Sequence, residues 1–137
     1  ENLATFTEQL NNLDNDFKTQ LSNVSNKKIV VSHEAYSYLC SAYGLEQTSI
    51  DGISADSEPS PAKMKEIADY IKANNVKYIF FEELVSPKIA QSLADETGVQ
   101  LLALNPFEGL EQEDIDNGAD YISVMEENLK NLVTALK

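Results

Sequence analysis

The chain contains one histidine, His33, and it follows a short β-branched apolar run, Ile29-Val30-Val31, with Ser32 before it and Glu34 after it. In open α/β sheets ligands bind beyond the carboxyl ends of the strands, so a residue at such a tip is placed to do chemistry. The same reading puts Ser54-Ala55-Asp56, Glu82-Glu83 and Asn105-Pro106-Phe107-Glu108 at the tips of three further strands. This edge is rich in carboxylates and holds the only imidazole. A neutral imidazole beside carboxylates is a nitrogen and oxygen donor set suited to Zn²⁺ or Mn²⁺. Each group also has a plain structural role open to it. A lone histidine at a strand end serves as a loop or N-cap residue, and Glu34 suits the first turn of a helix through the helix dipole. Glu82 and Glu83 suit a first turn or can accept from nearby backbone N–H groups. Glu58 before Pro59 reads as loop chemistry, and "EGLEQEDID" (108–116) as a solvated loop.

Nucleophilic catalysis is poorly served. There is no G-x-S-x-G elbow, no second histidine for a triad with a serine or with Cys40, no Walker loop, no G-x-G-x-x-G and no H-E-x-x-H. A zinc enzyme needs three protein ligands around an open position, for which one histidine plus carboxylates is a thin basis. These residues give an enzyme little support. The enzyme reading that remains is a flavodoxin-like enzyme or signalling domain that uses acidic strand ends for Mg²⁺. That alternative needs a lysine near those acids, and Lys88 is the only one close behind an acidic strand end.

The charge balance narrows the partners. Ten basic residues, all lysine, face 23 acidic ones among 137 residues, a formal net charge of −13. Such a surface repels nucleic acid and anionic lipid and gathers cations weakly. The apolar content of 42% supports one packed domain of ordinary size. No apolar run approaches the roughly 18–20 residues needed to span a bilayer. Cys40 has no second cysteine to pair with, and its helical apolar spacing makes it a small core residue. No signal peptide is recognisable and the chain opens within a helical pattern, so it is expected to be a piece of a longer protein.

Periodicity supplies the elements that would carry these tips. Leu3, Phe6, Leu10, Leu13, Phe17, Leu21 and Val24 give one narrow apolar stripe over 2–23, a long helix lying along something else. Strand 28–32 is followed by helix 34–43, stopped by Gly44. Strand 47–53 leads through a loop to Ser60 and Pro61, a cap followed by proline that opens a helix to about Ala73. Strand 77–81 precedes the similar pair Ser86 and Pro87 and a helix to about Glu96, stopped by Gly98. Strand 99–104 and a polar loop lead to a final helix over about 119–136, with Ile122, Met125, Leu129, Leu132, Val133 and Leu136 on one face. Four alternations predict an α/β fold, a four-stranded, mainly parallel sheet flanked by helices. The one composition boundary divides the chain into a leading helix, 1–26, and an α/β body, 27–137.

At this level of detail the chain resembles the C-terminal lobe of the zinc-binding solute-binding lipoproteins of ABC importers, a cluster shared with manganese-binding relatives. The pieces that carry the resemblance are "VSHEAYSYL", "AYGL", "ISADSEPSP", "IFFEELVSPKIAQSLADETG" and "LALNPFEGL". "NLATFTEQLNNLDNDFKTQL" looks like the second half of the long helix that links the two lobes of such proteins.

The resemblance implies a metal ion held between two lobes, two ligands coming from each. His33 falls on the C-terminal lobe's histidine position, where manganese relatives carry Glu, which favours zinc over manganese. Glu108 matches the carboxylate ligand in the loop after the last strand, with Glu111, Glu113 and Asp114 as fallbacks. The N-terminal lobe and its two histidines are missing, as is the His-rich loop of many zinc members. The lobe alone is thus expected to be two ligands short of four-coordinate zinc and to bind weakly.

The implied partners are the zinc ion, the missing N-terminal lobe and the membrane permease of an ABC importer. The implied protein is a monomer, extracellular and lipid-anchored at the cell surface. The absence of arginine and abundance of asparagine suit a low-GC Gram-positive source. Zinc takes the neutral imidazole, so protons should compete as pH falls through about 6.5.

Overall fold

The computed structural model describes residues 2–32, 34–50, 59–82, 87–106, 112–118 and 120–137. Four strands alternate with helices: α1 (Asn2–Ser22), β1 (Lys28–Val31), α2 (Ser37–Tyr43), β2 (Glu46–Ser49), α3 (Pro61–Ala73), β3 (Tyr78–Phe81), α4 (Lys88–Thr97), β4 (Gln100–Ala103), α5 (Gln112–Asp116) and α6 (Tyr121–Leu136). The strands form one sheet in the order β2-β1-β3-β4. Every pairing is parallel. From β1 the chain steps one way to β2, then crosses back to β3 and on to β4. Right-handed crossovers running in opposite directions place their helices on opposite faces of the sheet, and that is where they lie.

The period-two alternation of the strands sorts their side chains between two cores. Ile29, Val31 and Phe80 face Leu13, Phe17 and Leu21 of α1, Cys40 of α2, and Leu129, Leu132 and Leu136 of α6. Val30 and Ile79 face Ile67, Ala68 and Ile71 of α3 and Ala90, Leu93 and Ala94 of α4. A strand buried on both sides has no polar face, which is why the central runs read as continuously apolar. Cys40 is a core residue as expected, and burial pushes its thiol up to about 11. The stripe of α1 is buried only in its second half, while Leu3 and Phe6 are 79% and 42% exposed. Among the described residues no helix is long and apolar enough to cross a membrane.

The helix ends follow their local chemistry closely. Ser60 caps α3, its side chain accepting from the Lys63 N–H, with Pro61 in the first turn. Gly44 and Gly98 close α2 and α4 in the left-handed region, with φ of 70° and 77°, where a side chain would be strained.

Several boundaries differ from the sequence pattern, and one short helix is added. Helix α2 starts at Ser37 rather than 34, because Tyr36 is held in a non-helical conformation (φ −120°, ψ 22°) and its N–H donates to Gln47 Oε1. Glu34 therefore sits outside the helix rather than in its first turn. Strand β2 ends at Ser49, with Ile50 buried beyond it, and the expected continuation over 51–53 lies outside the described residues. Helix α4 has Pro87 at its N-cap rather than in its first turn, and Ser86 lies outside the described residues. The polar loop contains α5, held by the Gln112 side-chain amide donating to Asp116 four residues on. The final helix starts at Tyr121, capped by a reciprocal pair in which the Asp120 side chain accepts from the Ser123 N–H and Ser123 Oγ accepts from the Asp120 N–H.

Candidate metal centre

The register sets the geometry of the strand tips. Val31 pairs with Ser49 and with Phe80, and Phe81 pairs with Ala103. Pairing continues one step further: Ser32 N–H donates to Phe80 O (2.9 Å), Ile50 N–H to Val31 O (3.0 Å) and Leu104 N–H to Phe81 O (2.9 Å). Ser32, Ile50, Glu82 and Leu104 therefore stand at one edge of the sheet. The direction of winding reverses between β1 and β3, the kind of switch point beside which ligands bind in open α/β sheets.

His33 is the residue after Ser32, and Glu108 is four residues after Leu104. Both lie outside the described residues, as do Ser54, Ala55, Asp56, Glu58, Glu83, Phe107 and Glu111, and the side chain of Asp114. The structure does place their anchors. Ser32, before the histidine, is buried, and Glu34, after it, is exposed. Glu113 is exposed on α5. Lys88, which the magnesium alternative requires, is the exposed first residue of α4. Among the described residues no three His, Cys, Asp or Glu side chains come together as a metal-binding group.

Glu82 is not a first-turn acid, since α4 begins six residues later. It is 6% exposed, with Oε1 3.4 Å from the Tyr36 hydroxyl. That hydroxyl donates to Leu104 O at 2.7 Å, so one buried tyrosine three residues after His33 touches the exits of both β3 and β4. The exit of β4 is gripped twice more. Asn128, 4% exposed on α6, accepts from the Asn105 N–H (2.9 Å) and donates back to Asn105 O (2.6 Å). Asn131, one turn on, donates to Ala103 O (2.9 Å). Three successive residues, Ala103, Leu104 and Asn105, thus have backbone carbonyls fixed by side chains from other elements.

Sequence reasoning missed Tyr36, Asn128 and Asn131. A signal existed for Asn128. It is a polar residue set between Met125 and Leu132 on the apolar stripe of α6.

Beside these exits lies a groove of about 440 Å³ between α1, α2 and α6, lined by Leu10, Phe17, Tyr43, Pro106 and Met125 among others. Its wall is braced by a clasp. Tyr43 OH donates to Asp14 Oδ1 at 2.8 Å, and the Phe17 and Tyr43 rings lie 5.0 Å apart. The hydrogen bonds from Lys18 and Tyr43 hold the Asp14 carboxyl below its ordinary value. Burial, then Asp14, pushes the Tyr43 phenol up.

The family described as "Zinc-uptake complex component A periplasmic", ZnuA, matches residues 1–135. The chain belongs to this family. It is 45% identical over 132 residues to the "Zinc-binding lipoprotein AdcA" of Streptococcus pneumoniae, an alignment covering 96% of this chain and 26% of that protein. The chain thus spans about a quarter of that ZnuA-family relative's length. Among solved structures, it superposes on the Zn(II)-bound ZnuA-like domain of S. pneumoniae AdcA with a TM-score of 0.81 at 44% identity, covering 97% of this chain and 50% of that one. It also superposes on the laminin-binding protein Lmb of Streptococcus agalactiae, described as bifunctional with adhesin and metal-transporting activity. That match has a TM-score of 0.87 at 37% identity, covering 98% of this chain and 51% of that one. The α/β fold and the resemblance carried by "VSHEAYSYL" and "LALNPFEGL" agree with this membership.

Proposed function

We propose that this chain is the C-terminal lobe of a two-lobe protein that captures Zn²⁺ outside the cell and hands it to the membrane permease of an ABC importer. The observation that carries the reading is the ZnuA-family match over residues 1–135, together with the Zn(II)-bound ZnuA-like domain that aligns with 97% of the chain. In this reading His33 and Glu108 supply two of the zinc ligands and a second lobe supplies the rest. The chemistry is capture and release with no catalytic step. A histidine rather than a carboxylate at position 33 favours zinc over manganese. The first half of α1 belongs to a helix joining the lobes, a role supported by the solvent-facing Leu3 and Phe6. The protein is a monomer held at the cell surface by a lipid anchor.

The test is calorimetric titration of the chelator-stripped two-lobe protein with Zn²⁺, beside His33→Ala and Glu108→Gln. The parent should bind one ion tightly. Loss of a ligand should weaken binding by more than the roughly 10–100-fold typical of changes around a metal's outer shell. The lobe alone should bind weakly. Tight binding that His33→Ala leaves unchanged would overturn the ligand assignment. Preference for Mn²⁺ in direct competition would overturn the choice of metal.

A further inference from the structure

We propose that Tyr36, with Asn128 and Asn131, is a positioning device for metal capture. It locks together the chain exits that carry His33 and Glu108 before any ion arrives. The inference rests on the zinc-capture reading and concerns how the lobe keeps its share of the site in order.

The argument starts from where the hydrogen bonds go. Strand β4 is at the edge of the sheet, so only β3 pairs with it. The Leu104 N–H still donates to Phe81 O, and beyond that bond no strand neighbour among the described residues specifies the path. Tyr36, Asn128 and Asn131 do so instead, reaching Leu104 O, both backbone groups of Asn105, and Ala103 O. Apolar contacts tolerate sliding, whereas hydrogen bonds to consecutive backbone groups fix position and rotation together. The Asn128 amide reads the Asn105 peptide as a neighbouring strand would, and Glu108 is three residues further on. Tyr36 lies three residues after His33, so the Tyr36–Leu104 bond is a direct strut between the two ligand-bearing connections. The buried Glu82 carboxyl, 3.4 Å from the same hydroxyl, brings the exit of β3 into the contact. A metal site gains affinity when its donors need no rearrangement, and groups outside the ligand set commonly provide that order.

The alternative is that these side chains only satisfy buried backbone groups. The two roles separate in a binding measurement. A substitution that only lowers folding stability leaves Kd unchanged while the apoprotein stays folded, because Kd compares folded states alone. A substitution that loosens the ligand exits raises Kd.

The experiment compares Tyr36→Phe with Cys40→Ala in the two-lobe protein. The control alters a buried side chain of α2 and keeps the backbone N–H of Cys40, which donates to Tyr36 O. Zn²⁺ affinity is read by competition with a chromogenic chelator, coordination by the visible spectrum of the Co²⁺-substituted protein, and apoprotein stability by thermal unfolding. Tyr36→Phe should weaken zinc binding about 10-fold and change the Co²⁺ spectrum. Cys40→Ala should lower the unfolding temperature with parental affinity and spectrum. If Tyr36→Phe does not fold, Asn131→Ala, which removes one half-buried amide, carries the same comparison. Parental affinity and spectrum in Tyr36→Phe, or an equal loss in Cys40→Ala, would overturn the proposal. A parent that takes up no zinc overturns the function itself, and is seen before any variant is compared.

Discussion

On one face of the sheet α3 and α4 bury Val30, Ile67, Ala68, Ile71, Ile79, Ala90, Leu93 and Ala94, side chains that offer no hydrogen bond. On the other face α1, α2 and α6 bury a comparable apolar set, but Tyr36 and Asn128 lie buried among it with their polar atoms aimed at the strand exits. The side chains named on the first face need only shape and volume. The second also needs particular atoms at particular distances. Burial holds a sheet together without regard to direction. In the zinc-capture reading, this demand for direction falls on the side that holds the ligand-bearing connections.

The comparison can be broken by substitutions that should act on one property alone. The largest effect is expected from Leu93→Ala. Emptying a fully buried site between α4 and the sheet should cost about 2–5 kcal/mol, measured by denaturant unfolding, while the zinc affinity of the folded protein stays at the parental value. A matching loss of affinity would mean that the two faces are not separable.

A smaller effect should come from the Asp14–Tyr43 clasp. Asp14 has a depressed pKa, so its contribution is present above the ordinary carboxylate value and lost as pH falls below it. Tyr43 has a raised pKa, so its contribution is present below the ordinary phenol value and lost as pH rises past it. Tyr43→Phe should therefore flatten both flanks of a plot of unfolding midpoint against pH, and flanks as steep as the parent's would count against the clasp.

The smallest effect should be that of Leu3→Ser and Phe6→Ser. At exposed positions these should change the lobe's stability by no more than about 0.5 kcal/mol. A larger cost in the two-lobe protein than in the lobe would show that the first half of α1 packs on the second lobe.

Much of this architecture is legible in the sequence because it is written in local terms. The apolar stripes of α3, α4 and α6 are read within one helix, and Ser60, Gly44 and Gly98 mark ends through their own backbone chemistry. The edge that gathers the strand tips follows from alternation alone. What stayed hidden depends on distant parts. Helix α5 buries no stripe, and its Ile115 is 52% exposed, so periodicity had nothing to detect. The late start of α2 is set by Tyr36, whose partner Leu104 is 68 residues away. Tyr36 in "HEAYSYL" looks like one more aromatic until β1, β3 and β4 are in register. His33 is a candidate ligand by its place at a strand tip, but its pairing with Glu108 is implied only by family resemblance, because composition identifies the donor types and leaves their pairing open.

The two ends of the lobe's α1–α6 pair meet across most of the sequence. Helix α1 lies against α6, and where α1 turns into β1 the Leu136 carbonyl accepts from both the Asn26 N–H and the Ser25 hydroxyl. Ser25 and Leu136 are 111 residues apart. A contact of such sequence separation forms only after a large loop has closed, and it comes late on the pathway. Until α6 exists, Phe17 and Leu21 lack much of the surface that buries them. Within this stretch of chain, α1 therefore stays unlatched until α6 has formed and packed against it.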